Sequence, residues 1–143
     1  MTMPNDTLGV PRPDVAPYSF SRPFWEATRE KKVVIQYCRG SGRYQFYPRP
    51  TSIYTGTRDL EWREVSGRGT IFSYTVVQRA PETFRGHEPY ILGAVTLDVG
   101  VNVMADIVHC DLDRIRVGLP VVPFWAPLPN GTHLLLFQPA PTP

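Results

Sequence analysis

The second half of the chain carries short runs rich in β-branched and aromatic residues, separated by proline and glycine. The stretch Trp62–Val77 sets this pattern. Gly67 and Gly69 stand one residue apart, and the run Thr70–Arg79 that follows them favours a long strand. We interpret the two glycines as the corner at which the chain enters a small barrel.

Further strand signals follow this corner at short intervals. After a polar loop with three proline or glycine breakers, the apolar runs predict four more strands, at Tyr90–Asp98, Asn102–His109, Gly118–Trp125 and His133–Gln138. Gly100 predicts a tight hairpin between the first two of these. Asp111–Arg116 resembles a single helical turn. Five strands with one small helical element predict a five-stranded Greek-key barrel and a mainly β fold class.

The first third of the chain predicts a tail and a helix. Residues 1–19 are proline-rich and polar, which predicts an extended or disordered tail. A helix is expected within 20–33, beginning at Ser21 with Pro23 in its first turn and ending near Lys32. Phe24 or Trp25 must pack against the body, because so short a helix is not stable alone. The other aromatic ring is ordinary exposed surface or a partner anchor, and we expect an anchor.

The segment between the helix and the barrel alternates strands with glycine-containing bends. Val33–Tyr37 predicts a strand, and Cys38–Tyr44 predicts a tight bend. Gln45–Pro50 is expected to return as an edge strand stopped by its prolines, and Thr51–Thr57 makes a second bend. Two similar bends flanking a short hairpin are typical of a zinc ribbon.

These motifs resemble one known family. The resemblance rests on Phe24-Trp25, Cys38-x-x-Ser41, Tyr47-Pro48-Arg49-Pro50-Thr51-Ser52-x-x-Thr55-Gly56, Trp62 and Ser66-Gly67-Arg68-Gly69-Thr70. The chain is similar to the domain of unknown function thirty-five (DUF35) family. That resemblance implies an N-terminal helix, a rubredoxin-like zinc-ribbon module at residues 34–60, and an OB-fold barrel at residues 61–140.

The zinc-ligand positions of this family are altered here. Members that hold zinc carry Cys-x-x-Cys twice, whereas the matching positions here are Cys38, Ser41, Ser52 and Thr55. Structural zinc requires thiolate or imidazole ligands, and protonated hydroxyls are poor substitutes. We therefore expect a degenerate, metal-free ribbon held by hydroxyl hydrogen bonds and by the packing of its aromatic residues, Tyr37, Tyr44, Phe46, Tyr47 and Tyr54.

The resemblance also implies a function. Members of the family are accessory proteins of thiolase-like enzymes, which include thiolases, acyltransferases and thiolase-like aldolases. On that basis this chain is expected to dock on such an enzyme in a hetero-oligomer and to help bind or channel an acyl-CoA substrate. The partner would supply the catalytic group, and no cofactor would be bound tightly by this chain, although coenzyme A could contact both proteins.

The charge distribution favours an anionic partner for the first half of the chain. The formal net charge is only +2, yet residues 31–58 contain six basic residues and no acid. Coenzyme A phosphates, an acidic partner surface or solvent could face these charges. The candidate anion-binding residues are Lys31, Lys32, Arg39, Arg43 and Arg49.

Groups suited to catalysis are sparse. His109 and Cys110 are adjacent, but neighbours on a strand point to opposite faces, so we expect His109 to end a strand and Cys110 to pack. Asp106 lies in an apolar strand, where edge exposure or a hydrogen bond explains it better than a role as general base. The sequence has no phosphate loop and no nucleophile elbow. We expect a binding protein with no activity of its own.

Two alternatives remain at this point. An OB fold can bind single-stranded nucleic acid through aromatic stacking beside basic residues, and Tyr44, Phe46, Tyr47 and Tyr54 lie near Arg43 and Arg49. The small net charge disfavours that interpretation. A stand-alone enzyme acting on small molecules at the barrel mouth is also conceivable, with only the versatility of the fold in its favour.

The sequence also predicts the cellular location of the protein. No run approaches the ~20 apolar residues of a membrane span, and the N-terminus lacks the apolar region of a signal peptide. Two cysteines are too few for a disulfide framework. We therefore expect a cytoplasmic protein without membrane contact.

Overall fold

The computed structural model describes residues 6–142, which form one short helix and eight strands. In chain order these are α1 (Arg22–Thr28), β1 (Val33–Cys38), β2 (Arg43–Gln45), β3 (Leu60–Val65), β4 (Gly69–Val77), β5 (Tyr90–Leu97), β6 (Asn102–Ile107), β7 (Pro120–Pro127) and β8 (His133–Pro139). A single 3-10 turn, Glu82–Phe84, lies between β4 and β5. Among these described elements, no helix is long and apolar enough to cross a membrane.

The last five strands close into a barrel in the order β4-β5-β6-β8-β7. Every neighbouring pair is antiparallel except β6 and β8, which meet in parallel at Ile107 and Phe137. Contact between β4 and β7 at Gly69 and Val121 completes the circle. This closed five-stranded barrel confirms the predicted OB fold.

The barrel core follows the strict alternation of the strands. Along β5 every second residue from Ile91 to Leu97 is buried, and the same holds from Val103 to Ile107 on β6. Phe137 of β8 is fully buried among them. Because successive side chains on a strand point to opposite faces, this pattern places one face of each strand inside the barrel.

The entrance to the barrel is the corner predicted at Gly67 and Gly69. A side chain at Gly69 would collide with the backbone carbonyl of Thr96 and with the side chain of Val95. Only glycine lets β4 approach β5 this closely at the point where β4 also pairs with β7. The corner is therefore required by strand packing.

A three-stranded sheet, in the order β2-β1-β3, precedes the barrel. Strand β3 pairs with the whole length of β1, from Val33 opposite Val65 to Cys38 opposite Leu60. Residues 61–65 therefore belong to the ribbon sheet, whereas the sequence placed them in a barrel spanning 61–140. The apolar and charged residues of β3 gave no signal that its partner lies earlier in the chain.

The helix is shorter than the sequence predicted. It was expected within 20–33 and ends at Thr28, with Lys31 in the left-handed region at φ 57°. The Thr28 hydroxyl donates a 2.6 Å hydrogen bond to the Trp25 carbonyl and accepts one of 3.0 Å from the His133 backbone. The second of these bonds ties the last turn to β8, while the left-handed Lys31 turns the chain away from the helical path.

Two other local predictions needed correction. Asp111–Arg116 forms a hydrogen-bonded turn, from Arg114 N to the Asp111 carbonyl, and not a helical turn. The return strand expected at Gln45–Pro50 is confined to β2, Arg43–Gln45. It ends there because the Gln45 side chain bonds to the backbone of the following loop and because that loop contains two prolines.

The predicted tail at 1–19 lies partly outside the described residues, which begin at Asp6. Residues 6–19 form no regular element, yet Thr7 and Val10 are buried. The Thr7 hydroxyl donates a 2.6 Å hydrogen bond to Asp106 on β6, and Arg12 lies 3.6 Å from the same carboxylate. This part of the predicted tail is an irregular strap, with a turn from Thr7 to Val10, that is held against the barrel.

Candidate functional site

The ribbon contains two bends of the same geometry. In the first, the Gly42 amide donates a 2.8 Å hydrogen bond to the Cys38 carbonyl; in the second, the Gly56 amide donates one of 2.9 Å to the Ser52 carbonyl. The two glycines adopt φ values of 70° and 71°, which residues with side chains rarely do. The chain thus has two bends of matched geometry at the positions where the family resemblance implies the knuckles of a rubredoxin-like ribbon.

The side chains at the four ligand positions, three of them altered, do not suit zinc. One thiol, Cys38, meets three hydroxyls, and its sulfur lies 3.9 Å from Thr55 Oγ1. The described residues contain no group of three or more Cys, His, Asp or Glu that could hold a metal ion. Because hydroxyls bind zinc poorly at neutral pH, this donor set does not fit the metal that the family resemblance implies.

The three hydroxyls instead change the pKa of the Cys38 thiol. The side chains of Ser41, Ser52 and Thr55 surround the sulfur and lower the pKa of Cys38 to about 7, with Ser41 contributing most. Ser41 Oγ is buried and has no hydrogen-bond partner of ordinary geometry within residues 6–142. Ser52 is more fully used, because its hydroxyl accepts hydrogen bonds from the Tyr54 and Thr55 amides.

Aromatic packing supports the ribbon largely as predicted. Tyr37 and Tyr44 meet edge to face at 5.0 Å, and the Tyr54 hydroxyl donates a 2.7 Å hydrogen bond to the Tyr44 carbonyl. Arg63 covers the ring of Tyr37 at 3.5 Å, and Arg43 covers that of Tyr54 at 4.2 Å. An arginine therefore covers one face of the Tyr37 ring and one face of the Tyr54 ring, whereas Tyr47, another ring considered for base stacking, is 51% exposed.

A buried pair of glutamines was not recognised in the sequence. Gln45 Nε2 donates to Gln36 Oε1 at 2.8 Å, and Gln36 also bonds to both the amide and the carbonyl of Arg49. Gln45 bonds further to the Thr51 carbonyl and the Ile53 amide. Two side chains thus hold the backbone of Arg49, Thr51 and Ile53 in the loop that leads to the second knuckle.

The two helix aromatics have different environments. Phe24 is buried and packs against Phe46 at 5.6 Å, which confirms that one aromatic residue anchors the helix. Trp25 is half-buried and meets Phe24 edge to face. The role of either residue in binding a partner remains a prediction, but both border the groove described next.

An apolar groove of about 420 Å³ lies where the strap, the helix, the ribbon and the barrel meet. The barrel provides its floor through Val103 and Met104 of β6 and Leu134 and Leu135 of β8. Met104 is 59% exposed, so its thioether side chain reaches the groove mouth.

Aromatic rings form the walls of this groove. Tyr18 of the strap and Phe20, just before α1, stack at 5.4 Å on one side, and Phe46 and Tyr47 of the ribbon loop meet at 4.4 Å on another. Tyr18 and Tyr47 are 73% and 51% exposed. Large exposed apolar side chains gathered around one depression indicate a binding surface.

The five predicted anion-binding residues are not equivalent in the structure. Lys32 pairs with Glu30 at 3.2 Å, and Arg39 pairs with Asp59 at 2.6 Å. Arg43 stacks on Tyr54, while Lys31 and Arg49 are exposed. The acids come from just outside the basic stretch, so the apparent excess of positive charge is partly neutralised by folding.

The groups weighed for catalysis have structural partners. His109 is exposed beyond the end of β6, with Nδ1 2.8 Å from Gln138 Oε1, whereas Cys110 is buried and burial raises its pKa. The two side chains form no dyad, as expected. Asp106 receives the hydrogen bond from Thr7, which confirms the hydrogen-bonding role.

Several known proteins resemble this chain. Residues 62–125 match the family model described as the ChsH2 C-terminal OB-fold domain. A DUF35 domain-containing scaffold protein of Pyrococcus furiosus is 31% identical over 105 residues, which cover 73% of this chain and 76% of that protein.

Two further proteins resemble this chain, and the share of their own length that it covers differs. A protein of Thermomonospora curvata named as a probable enoyl-CoA hydratase alpha subunit is 30% identical over 118 residues, or 82% of this chain. The chain spans only 37% of that relative's length. Among solved structures, a chain of the Ltp2-ChsH2(DUF35) aldolase is similar with a TM-score of 0.78 and 27% identity, covering 90% of this chain and 100% of that one.

Proposed function

The chain belongs to the DUF35 family, and on that ground we propose that it is a non-catalytic accessory subunit of a thiolase-like enzyme. It docks on that enzyme in a hetero-oligomer and helps to bind or channel an acyl-CoA substrate. The observation that carries this proposal is its likeness, over 90% of its length, to a chain of the Ltp2-ChsH2(DUF35) aldolase.

Two features of the relatives support the substrate class. The Thermomonospora curvata relative is named for a reaction of an enoyl-CoA, although this chain matches only about a third of it. The Pyrococcus furiosus relative is described as a scaffold protein and is matched over most of its length. Both descriptions are consistent with a scaffold protein for an enzyme that acts on CoA thioesters.

The chain's own side chains support a binding role. Its buried thiol at Cys110 has a raised pKa, and the Asp106 carboxylate is engaged by the strap, so neither is positioned to react with a substrate. We infer that the partner supplies the reacting groups. Lys31 and Arg49, which are exposed, are the most suitable of the predicted residues for contact with coenzyme A phosphates.

The proposal also covers zinc binding and the cellular location of the protein. We infer a ribbon that functions without zinc, because one thiol and three hydroxyls are a poor ligand set and because Gln36 and Gln45 bridge the loop instead. We place the protein in the cytoplasm, where its two free and buried cysteines remain reduced.

Purification from the native host tests the proposal. The tagged full chain should recover a thiolase-like protein in a fixed ratio, whereas an unrelated OB-fold protein of similar size and charge should not. The recovered complex should act on an acyl-CoA, and the chain alone should not. Turnover of acyl-CoA by the chain alone, with no thiolase-like companion, would overturn the proposal.

A further inference from the structure

Strand β4 has an unpaired edge over its second half. It pairs with β7 only at Gly69 and Thr70, and Ile71 makes the last hydrogen bonds on that side. Residues 72–77, which we call the free edge, pair with β5 alone. Among residues 6–142, none outside β5 forms a hydrogen bond with the backbone of this segment. Because backbone groups of a strand point alternately to its two sides, half of these N–H and C=O groups face away from β5 without a partner.

The free edge is regular and exposed, so it has room for a further strand. The register shift at Phe72 lies at its start, and the residues after it pair one for one with β5, from Ser73 opposite Ala94 onwards. All four residues from 72 to 75 are exposed, which includes both faces of the strand. Phe72 is 60% exposed and Tyr74 is 40% exposed. No described part of the chain therefore covers this edge.

The free edge also lacks the usual protection against pairing. Proteins commonly guard an exposed edge strand with charged side chains or proline, and residues 69–78 contain neither. The aromatic and β-branched residues that dominate residues 72–77 are the types that form favourable cross-strand pairs. A suitable occupant is an extended backbone, which satisfies the unpaired groups in series, and it is free of charges. The same segment of a second copy of the chain meets both requirements.

We propose that the free edge of β4 pairs antiparallel with the free edge of a second copy of this chain across a twofold axis. The two barrels are then joined by one continuous sheet. Because β5 already occupies the other edge of β4, the pairing closes at two copies. No like charges oppose each other across the axis, since both segments are uncharged. A contact limited to residues 72–77 is small, so we expect a reversible dimer with a micromolar dissociation constant.

Sedimentation equilibrium of the isolated full chain provides the first test. The 16.2 kDa chain should show a concentration-dependent mass that rises to that of a dimer and no further. A mass that stays at the monomer value up to about 1 mM would overturn the inference. Continuous growth beyond the dimer would also overturn it, because a twofold contact leaves no free edge for a third copy.

Matched lysine variants locate the contact. Phe72→Lys places a like charge on both free edges and should weaken dimerisation at least about tenfold. Met104→Lys makes the same change at a residue of equal exposure, 59% against 60%, on β6 and away from the free edge, and should leave dimerisation unchanged. Equal dissociation constants of the two variants would place the contact elsewhere and overturn the inference.

Opposite charges should restore the contact. Tyr74→Lys and Tyr74→Glu should each be monomeric alone, and a mixture of the two should form a heterodimer that added sodium chloride weakens. A variant that had merely lost its fold would not be rescued by mixing. A mixture that does not associate would contradict the pairing of two identical edges.

The outcomes separate this inference from the proposed function. If the wild-type chain alone is monomeric and Phe72→Lys abolishes capture of the thiolase-like partner, the free edge belongs to the partner's interface. That result overturns the inference and supports the proposed function. A dimer that forms through the free edge, in a chain that captures no thiolase-like partner, supports the inference and counts against the proposed function.

Discussion

Gln45 donates a 2.8 Å hydrogen bond from Nε2 to Oε1 of Gln36, and both amide side chains are buried. Through this pair the strands β1 and β2 hold the backbone of Arg49, Thr51 and Ile53. A buried polar group without a hydrogen-bond partner lowers the stability of the fold. Breaking one bond of this network therefore leaves other buried groups unpaired. The pair is the polar centre of a ribbon that keeps one of the four cysteines, Cys38, at the ligand positions.

Removing one amide should destabilise the ribbon. Gln36→Leu keeps the approximate volume but leaves the Arg49 amide and carbonyl without their partners. We expect the free energy of unfolding in urea to fall by about 2–3 kcal/mol. Gln78→Leu, at an exposed glutamine, is the control and should change it by less than about 0.5 kcal/mol. Equal effects of the two substitutions would show that the buried pair is dispensable.

The retained knuckles should accept zinc once the ligands are restored. The triple variant Ser41→Cys/Ser52→Cys/Thr55→Cys provides four thiols with Cys38, on bends that already have matched geometry. We expect this variant to bind one zinc ion per chain, measured by elemental analysis after dialysis. The wild-type chain should bind less than a tenth of an equivalent, on the order of background for a site with one thiol. One equivalent in the wild type would contradict the metal-free ribbon.

The Cys38 thiol should make stability depend on pH. The hydroxyls of Ser41, Ser52 and Thr55 lower its pKa from 9.0 to about 7 in the folded chain. A depressed thiol pKa adds stability that is fully present above pH 9 and is lost as the pH falls through 7. The unfolding free energy of the wild type, minus that of Cys38→Ser, should therefore rise between pH 7 and pH 9.

Cys110 supplies a control of opposite sign for that experiment. Burial raises the pKa of its thiol above 9.0, so its contribution to stability declines as the pH rises past that value. The unfolding free energy of the wild type, minus that of Cys110→Ser, should fall above pH 9. A flat difference for Cys38→Ser across the same range would mean that the hydroxyl knuckle does not favour the thiolate.

The attachment of the strap to the barrel should depend on the Asp106 carboxylate. The carboxylate accepts the hydrogen bond from Thr7 and lies 3.6 Å from Arg12, which itself donates to the Thr7 hydroxyl at 2.8 Å. Asp106→Ala should lower the unfolding free energy by about 1–3 kcal/mol and speed amide exchange in residues 7–12. Asp113→Ala, at an exposed aspartate, should do neither. Identical exchange in the two variants would show that the strap is held by packing alone.

The barrel was predictable because its signals are local. Alternating burial along β5 and β6 and the hairpin at Gly100, with its φ of 94°, each depend on neighbouring residues. The same holds for the helix start and for the two knuckles. Element ends were less accurate, as the end of α1 at Thr28 shows, where the Thr28 hydroxyl accepts a hydrogen bond from His133, more than one hundred residues away.

The candidate site was harder to predict because its parts come from distant segments. Gln36 looks like an ordinary polar strand residue until the loop around Arg49 folds onto it. Thr7 and Asp106 are 99 residues apart in the chain. Similarly, the basic stretch at 31–58 contains no acid, but antiparallel pairing of β3 with β1 brings Glu61 and Glu64 beside it. Long-range pairing of this kind leaves no periodic signal in a single sequence.

The rate of the partner enzyme with and without this chain tests the central claim most directly. The thiolase-like companion and this chain would be purified separately and assayed on acyl-CoA alone and together, with binding measured on the same mixtures. The account predicts that the chain alone is inactive and that stoichiometric addition raises the companion's kcat/KM as the complex forms. Full activity of the companion without the chain, and no complex between them, would contradict it.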